Sequence, residues 1–295
     1  MKMVVNAPTL SVITTLYNRE KYIAETIESV LSSSFTDFEY IILDDRSSDN
    51  SFEIAKTYEK IDPRVKVVKN DINLGDYPNR NKAASLAKGK YLKFLDADDV
   101  LYNHGLQVMV ESMQAFPQAG YGICTKHSHY EKYPIQVNSY EALKQHFITN
   151  GPLTLSCSPG SAIILKEAFD KVGGFRINRH ISDALLWRTL SLHYPVVKMI
   201  TGLYWWRGHE QQESKIRLKN RTPIIEEYLA NTEIITNIDS PLSKDEQSLA
   251  IAKLKHKLAR KILVILIKEK DFRGAYKLLQ DANLDLSNVL SGFKG

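Results

Sequence analysis

Three carboxylates within four residues, Asp96-Ala97-Asp98-Asp99, follow the apolar run Tyr91-Leu92-Lys93-Phe94-Leu95. Like charges this close disfavour one another unless a cation or a hydrogen-bonding ligand sits among them. Hard carboxylate oxygens suit Mg(II) or Mn(II), and such ions also bind phosphate oxygens. The cluster therefore points to a divalent metal and a phosphorylated ligand. A second acidic turn, Asp44-Asp45-Arg46-Ser47-Ser48-Asp49, closes another apolar run, Phe38 to Leu43. For Asp44, capping of that turn and contact with a ligand are both open. Asp183 opens a later helical pattern, where a carboxylate can act as a general base or simply favour a helix N-terminus. His209 lies in Trp205-Trp206-Arg207-Gly208-His209-Glu210-Gln211-Gln212-Glu213-Ser214. A neutral imidazole there can bind a metal or be an ordinary surface or packed residue, and Arg207 can pair with phosphate. Trp205 and Trp206 offer faces for sugar rings, while core packing accounts equally well for at least one of them.

The elements that must position these groups alternate between strand and helix. Leu10 to Leu16 reads as a buried strand, followed by Tyr22, Ile23, Thr26, Ile27, Val30 and Leu31 at helical spacing. Strands at Phe38 to Leu43 and Val65 to Val68 are separated by a helix that uses Phe52, Ile54, Ala55 and Tyr58. A helix ending at Ala83 to Ala87, which Gly89 can cap, leads into the strand bearing the acidic cluster. This order implies a mostly parallel sheet, with ligand sites beyond the carboxyl ends of its strands. After Val100 the spacing predicts a helix near Leu106 to Phe116, a short strand at Tyr121 to Cys124 and a long irregular stretch to Pro159-Gly160. Strand to Leu165, the turn Gly173-Gly174-Phe175, a helix from Asp183 and further strand over Val196 to Trp206 complete the pattern. Beyond Thr222 the chain reads as helical, with a hairpin over Lys255 to Leu279 turning at Lys270 to Gly274.

Composition narrows the function classes. With 295 residues, 43% of them hydrophobic, the chain can bury one large core and a smaller module. The formal net charge is +5, and basic residues crowd the C-terminal region without any nucleic-acid-reading motif. Two cysteines, Cys124 and Cys157, follow no metal spacing, and no secretory signal is recognisable, so a cytoplasmic setting is expected. The longest late apolar run, Ile262 to Ile267, is far shorter than a membrane span. Lysines around it would suit peripheral contact with an anionic membrane. The favoured expectation is that Leu254, Leu258, Ile262 and Ile265 pack against Phe272, Tyr276 and Leu279. No glycine-rich loop follows the first strand, which argues against a dinucleotide-binding oxidoreductase, a P-loop enzyme and a sugar nucleotidyltransferase.

In order and spacing, Ser11-Val12-Ile13-Thr14-Thr15-Leu16-Tyr17-Asn18, the Asp44 to Asp49 turn and Asp96-Ala97-Asp98-Asp99 resemble the motifs of family 2 glycosyltransferases with the GT-A fold. Gly173-Gly174-Phe175 and Ser182-Asp183-Ala184-Leu185-Leu186-Trp187 resemble that family's later motifs, so the likeness runs from about Leu10 to Ser214. The fold implied is α/β, a Rossmann-like, mostly parallel sheet flanked by helices, over 1–220, with a helical C-terminal extension over 221–295. The resemblance implies that Asp45 hydrogen-bonds a nucleotide base, with Thr15 and Tyr17 lining the same pocket. It implies further that Asp96 and Asp98 meet the nucleotide, and that Asp98, Asp99 and His209 hold Mn(II) or Mg(II). Arg80 matches an arginine near the nucleotide, with a surface helix position as its alternative. Asp183 matches the catalytic base, in a chain that has Ser182-Asp183 where the family often has Glu-Asp. The expected activity is inverting transfer of a sugar from a nucleotide-sugar donor, a UDP-sugar by preference, to a saccharide or lipid-linked acceptor in surface polysaccharide synthesis. A catalytically inactive nucleotide- or carbohydrate-binding module is the reading from another class. Donor sugar, acceptor and oligomeric state stay open.

Overall fold

The computed structural model describes residues 7–125, 131–151, 153–177, 181–209 and 222–284. Its centre is an eight-stranded sheet whose strands lie side by side in the order 65–69, 38–44, 10–16, 91–94, 162–165, 121–124, 196–199 and 135–137. The first four strands, β1 (Leu10–Leu16), β2 (Phe38–Asp44), β3 (Val65–Lys69) and β4 (Tyr91–Phe94), all run parallel. Helices α1 (Ile23–Leu31), α2 (Ser51–Ile61) and α3 (Asp76–Leu86) make the crossovers. In β1, β2 and β4 buried residues follow one another almost without a break because both faces of the sheet are covered, whereas the edge strand β3 alternates buried valines with an exposed lysine at its start. Ile13, Ile41, Leu43, Leu92 and Phe94 enter one hydrophobic cluster, and their neighbours Val12, Tyr40, Ile42, Tyr91 and Leu95 enter the cluster on the other side.

The second half of the sheet is mixed. Beyond β5 (Val100–Leu101) and α4 (Gly105–Gln114), β6 (Tyr121–Cys124) lies antiparallel to β8 (Ala162–Leu165) and parallel to β9 (Val196–Met199). The stretch expected to be irregular contains an edge strand, β7 (Ile135–Val137), a helix, α5 (Ser139–Lys144), and a π-turn over Gln145–Thr149. After α6 (Lys166–Lys171), α7 (Ser182–His193) carries Asp183 in its first turn. The strand expected over Val196 to Trp206 is two strands. The chain reverses at Gly202, whose φ of 81° suits a residue without a Cβ, and β10 (Tyr204–Trp205) pairs with β5 in a separate ribbon.

Gly89 serves differently from the expected cap. α3 ends at Ala87 in extended backbone, and a Cβ on Gly89 would stand 2.4 Å from the Ser11 nitrogen. Its role is to let the entry to β4 press against β1.

The C-terminal part is helical, as expected: α8 (Thr222–Thr236), α9 (Lys244–Ile267) and α10 (Phe272–Asp281). A full capping box, Ser243 with Glu246, starts α9. Leu258, Ile262 and Ile265 pack with Ile225 and Tyr228 of α8 and with Ala275, Leu278, Leu279 and Ala282 in a separate small core. Phe272 and Tyr276, expected in that interface, stand 70% and 63% exposed instead. Small and aliphatic side chains of α10 fill the seam, and the two aromatics lie outside it.

Candidate active site

A cleft of about 400 Å³ opens at the carboxyl ends of the parallel strands. Thr15 to Tyr17 at the end of β1, Asp45 after β2 and Asp96 to Asp98 after β4 form one side, together with 73–79 at the start of α3. Ser158, Pro159, Asp183 and Trp206 come to it from the second half of the chain. Sequence neighbours at strand ends thus become spatial neighbours because the strands are parallel and in register, with Leu16 opposite Asp44.

Asp45 is nearly buried and organises the cleft floor. Its Oδ1 accepts from Asn70 Nδ2 and from the Leu74 N–H, each at 2.8 Å, and its Oδ2 accepts from the Gly75 N–H at 2.8 Å. Gly75 holds a φ of 85°, which presents that N–H at the start of α3. Asp44 is fully buried; its Oδ2 accepts the Ser47 N–H at 3.1 Å, so of its two roles the structure supports the turn cap.

Of the acidic cluster, Asp96 and Asp98 line the cleft and Asp99 does not. The Asp99 side chain is only 2% exposed, and its Oδ1 accepts the Arg207 N–H at 3.0 Å. Burial and then the neighbouring Asp96 push its carboxyl up to about 7. Arg80 lies behind the cleft wall. Its guanidinium donates to Asp76 Oδ1 and Asp96 Oδ1, both at 2.7 Å, so it is a buried clamp rather than a surface helix residue. Burial opposes its charge, yet the two carboxylates outweigh that and keep it firmly protonated.

Asp98 Oδ2 meets two partners, Arg19 Nε at 2.9 Å and His209 Nε2 at 2.9 Å. Arg19 also donates to the Tyr17 and Asn18 carbonyls, tying the end of β1 to the acidic turn. It lines the cleft, and in the sequence its place just beyond the first strand motif is the signal that points to it. The His209 ring stacks on Tyr22 at 5.2 Å between centroids, and its buried Nδ1 meets no partner among the described residues. Arg207, a phosphate candidate by sequence, is engaged by protein: it donates to the Asp98 carbonyl and Glu25 Oε2, and its guanidinium lies over Tyr22 and Trp205. Trp205 and Trp206 are 44% and 53% exposed, which removes core packing as the account of either.

Asp183 faces the cleft from the first turn of α7, and its Oδ1 accepts the following Ala184 N–H at 2.7 Å. Among the described residues no three His, Cys, Asp or Glu side chains converge to hold a metal alone. The pair Asp98 and His209 fits an ion that draws its other ligands from phosphate and water, the usual habit of Mg(II).

The sequence profile described as Glycosyl transferase family 2 matches residues 11–173. The chain belongs to that family. Among curated family members, the teichuronic acid biosynthesis glycosyltransferase TuaG of Bacillus subtilis is 42% identical over 120 residues, 39% of this chain and 48% of TuaG. The glycosyltransferase MJ1057 of Methanocaldococcus jannaschii is 40% identical over 109 residues, 36% of this chain and 38% of that protein. The chain thus spans less than half the length of these curated relatives. Solved structures carry the likeness across the fold. S. aureus TarS 1–349 in complex with UDP-GlcNAc superposes with a TM-score of 0.69 at 18% identity, covering 93% of this chain and 81% of TarS 1–349. The mannosyltransferase PcManGT of Pyrobaculum calidifontis, in complex with GDP-Man and Mn2+, gives 0.60 at 14% identity over 97% and 88%. The family 2 chain therefore has the GT-A fold. Asp183, Trp206 and His209 lie beyond its profile-matched segment.

Proposed function

We propose that the chain is an inverting, metal-assisted glycosyltransferase that moves a sugar from a nucleotide-diphosphate donor to a hydroxyl of a saccharide or lipid-linked acceptor. The observation that carries this reading is the convergence of Asp45, Asp98 and Asp183 on one cleft. A UDP-sugar is the preferred donor and surface polysaccharide synthesis the preferred setting; TuaG, named for teichuronic acid biosynthesis, and TarS, solved with UDP-GlcNAc, support both. Residues 1–220 form the catalytic domain in this reading, and 221–295 an extension. No helix among the described residues is long and apolar enough to cross a membrane, and the cytoplasm is the proposed location.

The residues divide the work along the cleft. A carboxylate can accept about four hydrogen bonds, and three protein donors converge on Asp45. The acceptor position left on Oδ2 suits the ring N–H of uracil, with Thr15 and Tyr17 beside it. Asp98 and His209 would hold Mn(II) or Mg(II), which supplies charge compensation for a departing diphosphate. Arg80 fixes Asp96, and Arg19 fixes Asp98, so neither carboxylate needs to be reoriented when the donor enters. Asp183 takes the proton of the acceptor hydroxyl as that oxygen bonds to the anomeric carbon and the bond to the diphosphate breaks. A single displacement inverts the anomeric configuration and needs no enzyme nucleophile.

Calorimetric titration with UDP, dTDP, GDP and ADP, each with and without Mn(II), tests the reading. Metal-dependent binding of a uracil or thymine nucleotide is expected, with GDP and ADP much weaker. A folded protein that binds none of the four is a degenerate module, and the transferase proposal fails.

A further inference from the structure

The C-terminal hairpin leaves its aromatics on the wrong side for a purely structural element. α9 is 24 residues long, about 36 Å at helical rise. Near its start Ala250 belongs to the core of the catalytic fold, whereas its later turns pack in the separate small cluster with Ile225 and Tyr228 of α8 and with α10. The turn between the two helices therefore forms a tip at the end of α9 far from Ala250. At that tip Ile267, Phe272 and Tyr276 are 64%, 70% and 63% exposed. Phe272 and Tyr276 are one turn apart and so share a face of α10.

Charge is concentrated in the same place. Residues 253–277 hold nine Lys and Arg against two Asp and Glu, a formal +7 on a chain that totals +5. Lys257 and Lys261 pair with Glu227, but Lys268, Lys270, Arg273 and Lys277 are exposed around the apolar tip. Aromatic and aliphatic groups rimmed by lysine and arginine match an anionic bilayer: the rings enter the headgroup boundary and the cations meet lipid phosphates. A folded protein partner would require a groove or a continuous apolar face, and here the exposed Lys268, Lys270 and Arg273 interrupt the apolar residues.

We infer that the tip of the α9–α10 hairpin docks on an anionic lipid surface through Ile267, Phe272 and Tyr276 with the surrounding cations. This deepens the transferase reading, on which it rests only for its biological purpose: a cleft held at a membrane has access to lipid-linked acceptors.

The test is sedimentation of the full chain with sucrose-loaded vesicles, of phosphatidylcholine alone or with about a third phosphatidylglycerol. Binding to the anionic vesicles is expected to be at least about tenfold stronger and to weaken as salt rises. The double substitution Ile267→Ser with Phe272→Ser should lower it by a further tenfold or more at unchanged charge. Circular dichroism and UDP titration of the same variant check that fold and cleft are intact. Equal binding to both vesicle types, no binding, or a double variant that binds as the parent does would each overturn the inference. So would retention on heparin or RNA with vesicles ignored. A chain that binds vesicles but no nucleotide leaves this inference standing and removes the transferase reading; the converse result removes only the membrane contact.

Discussion

At Asp183 the catalytic proposal is most exposed to test. Its position in the first turn of α7 is also one where any carboxylate gains from the helix N-terminus, and its Oδ1 accepts the Ala184 N–H. Substitution to Asn keeps the shape and removes the negative charge and with it the capacity to take a proton. Asp183→Asn should lower single-turnover transfer by about 10²- to 10⁴-fold while nucleotide affinity stays within a factor of about two. Transfer at the parental rate would assign the base elsewhere. Most of the other cleft residues were legible because parallel strands deliver their C-terminal residues to one edge: Thr15, Tyr17, Asp45, Asp96 and Asp98 all arrive there. What sequence could not separate was the direction of each side chain within a short acidic run. Asp98 and Asp99 are adjacent, yet one lines the cleft and the other is sealed against Arg207. Arg80 likewise reads the same in sequence whether it meets a ligand or, as here, clamps Asp76 and Asp96 from behind.

Helix packing in the C-terminal part has its own electrostatic latch. Burial alone would push the Glu227 carboxyl up, but Lys261 and Lys257 outweigh it and hold the group down to about 2. Because the folded-state value lies below the ordinary 4.5, the stabilisation is present above that pH and is lost as pH falls toward 2. Glu227→Gln should flatten the acid limb of the thermal unfolding midpoint in that window and lower the midpoint at neutral pH, by an amount that solvent screening keeps modest, so that the two proteins converge in acid. An acid limb as steep in the variant as in the parent would place the pH dependence in other groups. At this scale the sequence was clearest where both faces of an element are buried, as in β1, β2 and β4. It was least clear where tertiary pairing decides. Val196 to Trp206 is uniformly strand-like, and only the reversal at Gly202 divides β9 from a strand that pairs with β5. On α10 the apolar residues cover more than one face, and periodicity alone could not choose between Phe272 with Tyr276 and Ala275 with Leu278 for the seam.

Across the molecule the cleft joins two halves of the sheet that are each fastened by buried polar contacts. On one side Asp45 gathers the 70–75 loop. On the other, the 157–161 turn is held from three elements: Trp187 Nε1 donates to the Cys157 carbonyl at 2.8 Å, Tyr204 Oη meets Ser158 Oγ at 2.8 Å, and the buried Lys93 donates to the Gly160 carbonyl. Burial lowers the Lys93 ammonium to about 8, a cost that a carbonyl-bound cation sustains only in a fixed setting. Two rigid walls facing one ligand make a preorganised site, so binding should bridge the halves with little rearrangement. Nucleotide-sugar at about 100 times its Kd should add roughly 2.7 kcal/mol to stability and raise the unfolding temperature. Hydrogen exchange with Mn(II) and the complete donor should then slow together at Leu74 and Gly75 and in the 157–161 turn. Slowing confined to the Asp45 side would mean that the donor does not reach the wall where Asp183 stands, and the in-line arrangement of base and leaving group would have to be abandoned.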